Sequence, residues 1–171
     1  MQKTAYKFFT TILLTPIVIV LSLNQGKFII LVDHLNLLIH EGGHGVFSLF
    51  GRFLYTLGGT LMQILIPALV MIYFFLNKKI AGMQVSTVWL GQNFMNIGRY
   101  AADARAQALP LLGGKNVYHD WTYILNKLNI LEYDAAVGVI FYVSGITIFA
   151  IALLLPIFIK NYGKIDLEMN L

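Results

Sequence analysis

Cysteine is missing altogether. Its absence excludes disulfides, a thiolate nucleophile and cysteine metal sites, so any metal has to be held by histidine and carboxylate. Four His and eight Asp and Glu are the whole supply. Charge is scarce as well, at 12% of residues against the ~25% of a typical soluble domain. A net charge of +4 points to no polyanion partner, because the twelve Lys and Arg are scattered between apolar segments and form no basic stripe. The sequence has no internal repeat and no low-complexity tail. Together these shortages exclude the disordered, fibrous and nucleic-acid-binding classes.

What the chain has in quantity is apolar length. Hydrophobic residues make up 58% of it, and charge-free stretches run from Phe8 to Gly26, Phe53 to Asn77, Ile80 to Gly98 and Ala135 to Ile159. Each is near or above the ~18–20 residues that a helix needs to cross the hydrocarbon layer. The expected fold class is an all-α integral membrane protein, a single domain over 1–171. It should have about five transmembrane helices, near 8–25, 28–51, 53–77, 80–109 and 132–160, with a loop over 110–131. Pro110 sets the end of the fourth, since the residue before a proline disfavours helical geometry. The loop holds a Gly113-Gly114 turn, the cluster His119-Asp120-Trp121 and a short amphipathic stretch ending near Leu131. Lys3 and Lys7 ahead of the first segment also fit the opening of a signal peptide, with Val20 and Ser22 as the small-residue hint of a cleavage site, but a retained anchor is the reading taken. A cytoplasmic N-terminus collects Lys3, Lys7, Arg52, Arg99, Arg105, Lys115 and Lys127 inside, against Lys27, Lys78, Lys79, Lys160 and Lys164 outside, and this excess sets the expected orientation.

Two of the segments carry polar faces. In the second, Asp33, His34, Asn36, His40, Glu41 and His44 fall within an arc of about 160° at ~100° per residue, which leaves Leu35, Leu38, Ile39, Val46 and Leu49 opposite. Gln92, Asn96, Arg99 and Asp103 form one narrow stripe in the fourth. Charge facing lipid is expensive, so such faces should turn toward each other or toward a wet cavity.

His40-Glu41-Gly42-Gly43-His44 reads HExxH. Residues four apart share a helix face, so both imidazoles can reach one ion while Glu41 stands beside them to take a proton from water. Zinc is the expected ion, since His and carboxylate ligands with an open position suit it. A catalytic zinc takes a third protein ligand, and Asp103, His119 and Asp120 are the candidates. Asp103 ranks first because its polar stripe can face that of the second helix, although Arg99 one turn earlier offers it a local ion pair. His119 and Asp120 could fold back over the site as a ligand or as an orienting partner, or form a polar turn with Asp120 capping a helix that starts at Trp121. Asp33 and His34 read as residues of a wet cavity or as supports of the ligands. Gln63, on the stripe of Gly59 and Pro67, is open to substrate contact or to an interhelical hydrogen bond. Asn93 and Asn96 share that ambiguity, and packing is the preferred reading.

HEGGH in an apolar helix, followed by GGTLMQILIP, GQNFMNIGRYAADARAQALPLLGG and HDW, resembles the site-2-protease-like intramembrane zinc metallopeptidases, in particular their small bacterial branch. The resemblance runs from about Leu38 to Trp121, and HExxH is its specific part. It implies zinc held by His40 and His44, Glu41 as base, an aspartate from a later helix as third ligand, here Asp103, and a place in the bacterial cytoplasmic membrane. The family's usual aspartate lies in an Asn-Pro-x-x-Asp-Gly type motif. Here that region reads Leu109-Pro110-Leu111-Leu112-Gly113-Gly114, with no Asp, which keeps His119 and Asp120 in play.

The expected function is an intramembrane zinc metalloendopeptidase that hydrolyses a peptide bond in or near a transmembrane segment, by metal-activated water with Glu41 as general base. Its partners are the lipid bilayer and a membrane protein or peptide substrate. Asn96 or His119 could supply an oxyanion donor, and the Gly58-Gly59 region could dock an extended substrate segment. The alternative is a non-hydrolytic membrane protein that binds or conducts a divalent cation or protons through His40, Glu41, His44 and Asp103. A small structural subunit whose polar faces pair with a larger partner is the third reading.

Overall fold

The computed structural model describes residues 2–110 and 118–159, with side chains from Phe8 onward. All regular structure among them is helical: α1 (Gln2–Asn24), α2 (Ile30–Phe47), α3 (Gly51–Leu76), α4 (Ile80–Ala102), the short α5 (Asp120–Lys127) and α6 (Asp134–Phe158). The Gly113-Gly114 turn, Lys115, Lys160 and Lys164 lie outside the described residues.

Two continuous helical stretches are long and apolar enough to cross a membrane. They are the 47 residues Ile30–Leu76, which comprise α2, a 3-10 turn at Ser48–Phe50 and α3, and the 28 residues Leu131–Phe158, which contain α6. The apolar part of α1, Phe8–Asn24, is shorter. Three positions differ most from expectation, one of them the end of α2, at Phe47 rather than near 51. The first helix already begins at Gln2, and the fourth ends at Ala102 rather than at 109. Asp103 is the reason for the early stop, because its carboxylate accepts the backbone N–H groups of Ala108 and Leu109, both at 3.0 Å, and so stabilises a turn in place of helix.

Polar residues are inside and apolar ones outside. Asp33 is 4% exposed and Asn36 1%, whereas Leu31 is 86% and Leu49 91% exposed. Leu35, Leu38 and Val46 also point outward and His40 and His44 inward, as the periodicity predicts, while His34 and Glu41 at the edge of the polar arc are exposed. The polar side of α2 reaches α4 through side-chain hydrogen bonds: Asp33 accepts from Gln92 and Asn96 of α4, and also from Asn36 and the backbone N–H of Ile29.

Small residues set the helix spacing. A Cβ added to Gly43 would sit 2.2 Å from the carbonyl oxygen of Gly58, so α2 and α3 touch backbone to backbone. Gly98 and Gly138 do the same for α4 and α6, where a Cβ on Gly98 would meet the Gly138 carbonyl oxygen at 2.8 Å. Gly51, at φ +84°, takes the backbone conformation that starts α3 after the 3-10 turn Ser48–Phe50. Below α4, Trp121, Ile124 and Leu125 of α5 are buried with Ile97, Ala101 and Ala104. Arg105 closes this end by pairing its guanidinium with buried Asp134 at 2.7 Å.

Candidate metal centre

His40 and His44 lie one turn apart on α2, with ring centroids 4.8 Å apart. Each points one nitrogen outward and one inward. His40 Nδ1 donates to Gln63 Oε1 at 2.9 Å, and His44 Nδ1 donates to the backbone carbonyl of Tyr55 at 2.8 Å. Both acceptors lack a proton of their own, so both rings carry hydrogen on Nδ1 and turn Nε2 inward.

The third group at the centre is Asp120. Its Oδ2 lies 2.9 Å from His40 Nε2 and 3.3 Å from His44 Nε2, and the three donor atoms form the one metal-sized group of this kind among the described residues. Two lone-pair nitrogens around a carboxylate oxygen repel one another unless a cation, whether protons or a metal ion, lies between them. The donor set, two imidazoles and a carboxylate, suits zinc, whose tetrahedral ligand atoms stand ~3.3 Å apart at normal bond lengths. Burial pushes the Asp120 carboxyl up, but His40 and His44, when protonated, outweigh it and hold the carboxyl below its ordinary range.

Asp103, ranked first for this role, is not in the group. Both of its oxygens are occupied by the turn after α4, and Oδ2 also lies 3.6 Å from His119 Nε2. His119 is buried and caps α5, its Nδ1 accepting the backbone N–H of Thr122 at 3.3 Å. Its Nδ1 is therefore taken, and burial pushes its imidazole below the ordinary range against the pull of the Asp103 and Asp120 carboxylates. Because His119 takes the cap, Asp120 becomes the first residue of the helix and is free to reach α2. The expectation that Asp120 caps a helix starting at Trp121 is corrected accordingly.

Glu41 is exposed and makes no hydrogen bond among the described residues. Its charge is near enough to act on His44 and Tyr100. Gln63 and Asn93 are buried and bonded to each other at 3.4 Å, so both act between helices. Asn96 donates to Asp33, away from the centre. His34 is exposed and packs edge-on to Phe28 at 5.0 Å. Gly58 and Gly59 are buried against α2, where a Cβ on Gly59 would lie 2.5 Å from the His40 ring, and so offer no place for an extended segment to dock.

Sequence reasoning missed Tyr100. Its hydroxyl oxygen accepts the backbone N–H of Asp120 at 3.2 Å, and its ring lies 4.3 Å from that of His119. Gln92, Asn96 and Tyr100 are spaced by four, so the polar stripe contained it. The Tyr55 carbonyl carried no sequence signal, since every residue has one.

No protein-family model, no curated protein and no solved structure matches this chain. Geometry and the chemistry of the side chains therefore carry the functional argument.

Proposed function

We propose that the protein is an intramembrane zinc metallopeptidase of the site-2-protease-like kind, with His40, His44 and Asp120 as the metal ligands and Glu41 as general base. One observation carries the reading: two Nε2 atoms, each locked inward by an Nδ1–H bond behind it, converge with a carboxylate oxygen next to an unpaired, exposed glutamate. In the five-span arrangement α1, α2, α3, α4 and α6 cross the bilayer and α5 covers the cytoplasmic end. The outward Leu, Ile and Phe side chains and the buried carboxamides support that arrangement.

A zinc ion held there would supply Lewis acidity toward a peptide carbonyl and make water a nucleophile near neutral pH. The chain's own residues do the rest. Glu41 takes the proton from the attacking water and passes it to the leaving amine. Tyr100 keeps its own hydroxyl proton while its oxygen accepts from Asp120, so it is the candidate donor to the developing oxyanion. Asn96, considered for that role, donates to Asp33, and His119 turns its Nε2 toward Asp103 Oδ2 at 3.6 Å. The substrate class is a membrane protein or peptide presented at the Glu41 side.

The conducting alternative gains no interior path. It needs Asp103 beside His40, Glu41 and His44, and both oxygens of Asp103 are held by the turn after α4. The deciding experiment compares membranes holding the parent and Glu41→Gln by quantitative mass spectrometry, alongside zinc analysis of both purified proteins. Substrate fragments should vanish in the variant while bound zinc stays. Zinc in neither protein, or identical peptide patterns in both, overturns the peptidase reading.

A further inference from the structure

The two histidines are held by different kinds of acceptor. A backbone carbonyl faces His44, and it cannot present anything but an acceptor. A primary amide faces His40, and rotating that amide by half a turn would offer N–H in place of oxygen, forcing the imidazole into the other tautomer with its proton at the centre. Something must fix the Gln63 amide.

Hydrogen-bond direction, followed inward from Asp33, supplies it. Asp33 receives four N–H donors on its two oxygens, so it acts only as an acceptor. Asn36 must therefore turn its NH2 toward Asp33, at 3.2 Å, and its oxygen away. The indole N–H of Trp89, which can only donate, reaches that oxygen at 2.8 Å and fixes the same orientation from the other side. Asn93 then turns its NH2 to the Asn36 oxygen at 3.2 Å, and a second hydrogen of that NH2 goes to the Trp89 carbonyl at 3.1 Å. Its own oxygen is left facing Gln63, whose NH2 donates to it at 3.4 Å. Gln63 Oε1 consequently faces His40 Nδ1. Each amide has one permitted orientation, because an acceptor-only group and a donor-only group stand at the far end.

We infer that Asn93 is a positioning residue for the metal centre: by accepting from the Gln63 amide it keeps Gln63 Oε1 turned to His40, and so keeps the His40 Nε2 lone pair facing the ligand site. This rests on the metal reading above for its consequence, although the tautomer itself does not.

The test is a double-mutant cycle on the full-length chain in detergent, with zinc affinity measured by competition against a chromophoric chelator. Asn93→Leu should weaken zinc binding about tenfold to hundredfold, the usual effect of losing a group that orients a ligand. Gln63→Glu places acceptors in both orientations, so no orienting partner is needed. In that background Asn93→Leu should cause no further loss. An equal loss in both backgrounds would mean that Asn93 merely packs, and would overturn the inference. Nitrogen-15 spectra of histidine-labelled, metal-free protein give a readout that packing does not move: His40 should carry its proton on Nδ1 in the parent and shift toward Nε2 in Asn93→Leu. A parent His40 protonated on Nε2, or a tautomer unchanged by Asn93→Leu, overturns the inference whatever the zinc result. Zinc binding indifferent to His40→Ala would instead sink the metal reading, with the tautomer result still standing.

Discussion

Two glycines inside HEGGH have opposite surroundings. A Cβ on Gly42 meets nothing within 4 Å, whereas one on Gly43 would collide with the Gly58 carbonyl oxygen at 2.2 Å. Gly42→Ala should therefore raise thermal stability by the helix-propensity difference of about 1 kcal/mol. Gly43→Ala should push α2 off α3 and lower both the melting temperature and the zinc content. Metal analysis also separates the two aspartates. Asp120→Ala should lose most bound zinc, while Asp103→Ala should keep more of it and show its damage as a loosened turn before residue 110. Tyr100→Phe should retain zinc and lower kcat by roughly 10²–10³, the cost of one oxyanion donor, in an assay with a cleavable peptide. At this scale the sequence spoke clearly where spacing along one helix was enough, as for His40, Glu41 and His44. It could not choose between Asp103 and Asp120, because that depends on where the chain leaves helix. Asp103 looked like one more residue of the polar stripe, yet its short carboxylate bonds forward to Ala108 and Leu109 and ends the pattern it was thought to continue.

Among the elements, α5 matters most for its length. Its eight residues carry no span-like signal, and its three buried side chains, Trp121, Ile124 and Leu125, seat it on the end of α4. The amphipathic stretch after His119 was readable in the sequence. Its docking was not, since contact between residues so far apart leaves no local periodicity. His119 tests the arrangement. As a cap it can be replaced by another capping side chain, so His119→Asn should keep α5 and the bound zinc, while His119→Ala should cost about 1 kcal/mol and lower zinc occupancy by letting Asp120 drift. Were His119 itself a ligand, both substitutions would remove the metal alike. Gly138 and Gly145 stood out in an otherwise plain apolar segment as places for close packing, without naming the neighbour, and the structure supplies α4, where they meet Gly98, Ala102, Gly91 and Met95.

For the whole molecule, composition spoke most plainly about class. The helical character and the apolar lengths were readable, and Ile30–Leu76 and Leu131–Phe158 reach spanning length. α4 is not among the stretches apolar enough to span, because it carries Gln84, Gln92, Asn93 and Asn96, which lower its hydropathy while turning inward or against a neighbouring helix. The five-span arrangement predicts that the protein stays with the membrane pellet after an alkaline carbonate wash. Reporter tags at Gln25 and Lys78 should face one compartment, and tags near Gly51 and Leu128 the other. Gln25 and Gly51 on the same side would remove α2 as a span.

Chain order carries a last consequence. Both imidazoles belong to α2, but the carboxylate that joins them arrives with α5, and the salt bridge of Arg105 to Asp134 ties the seat of α5 to the start of α6. A ribosome that has delivered α1 through α4 has made two thirds of the trio and no cage for an ion. On the proposed peptidase reading, the nascent polypeptide is therefore inert beside its neighbours in the translocation channel, and it becomes able to cut only after α5 has been made.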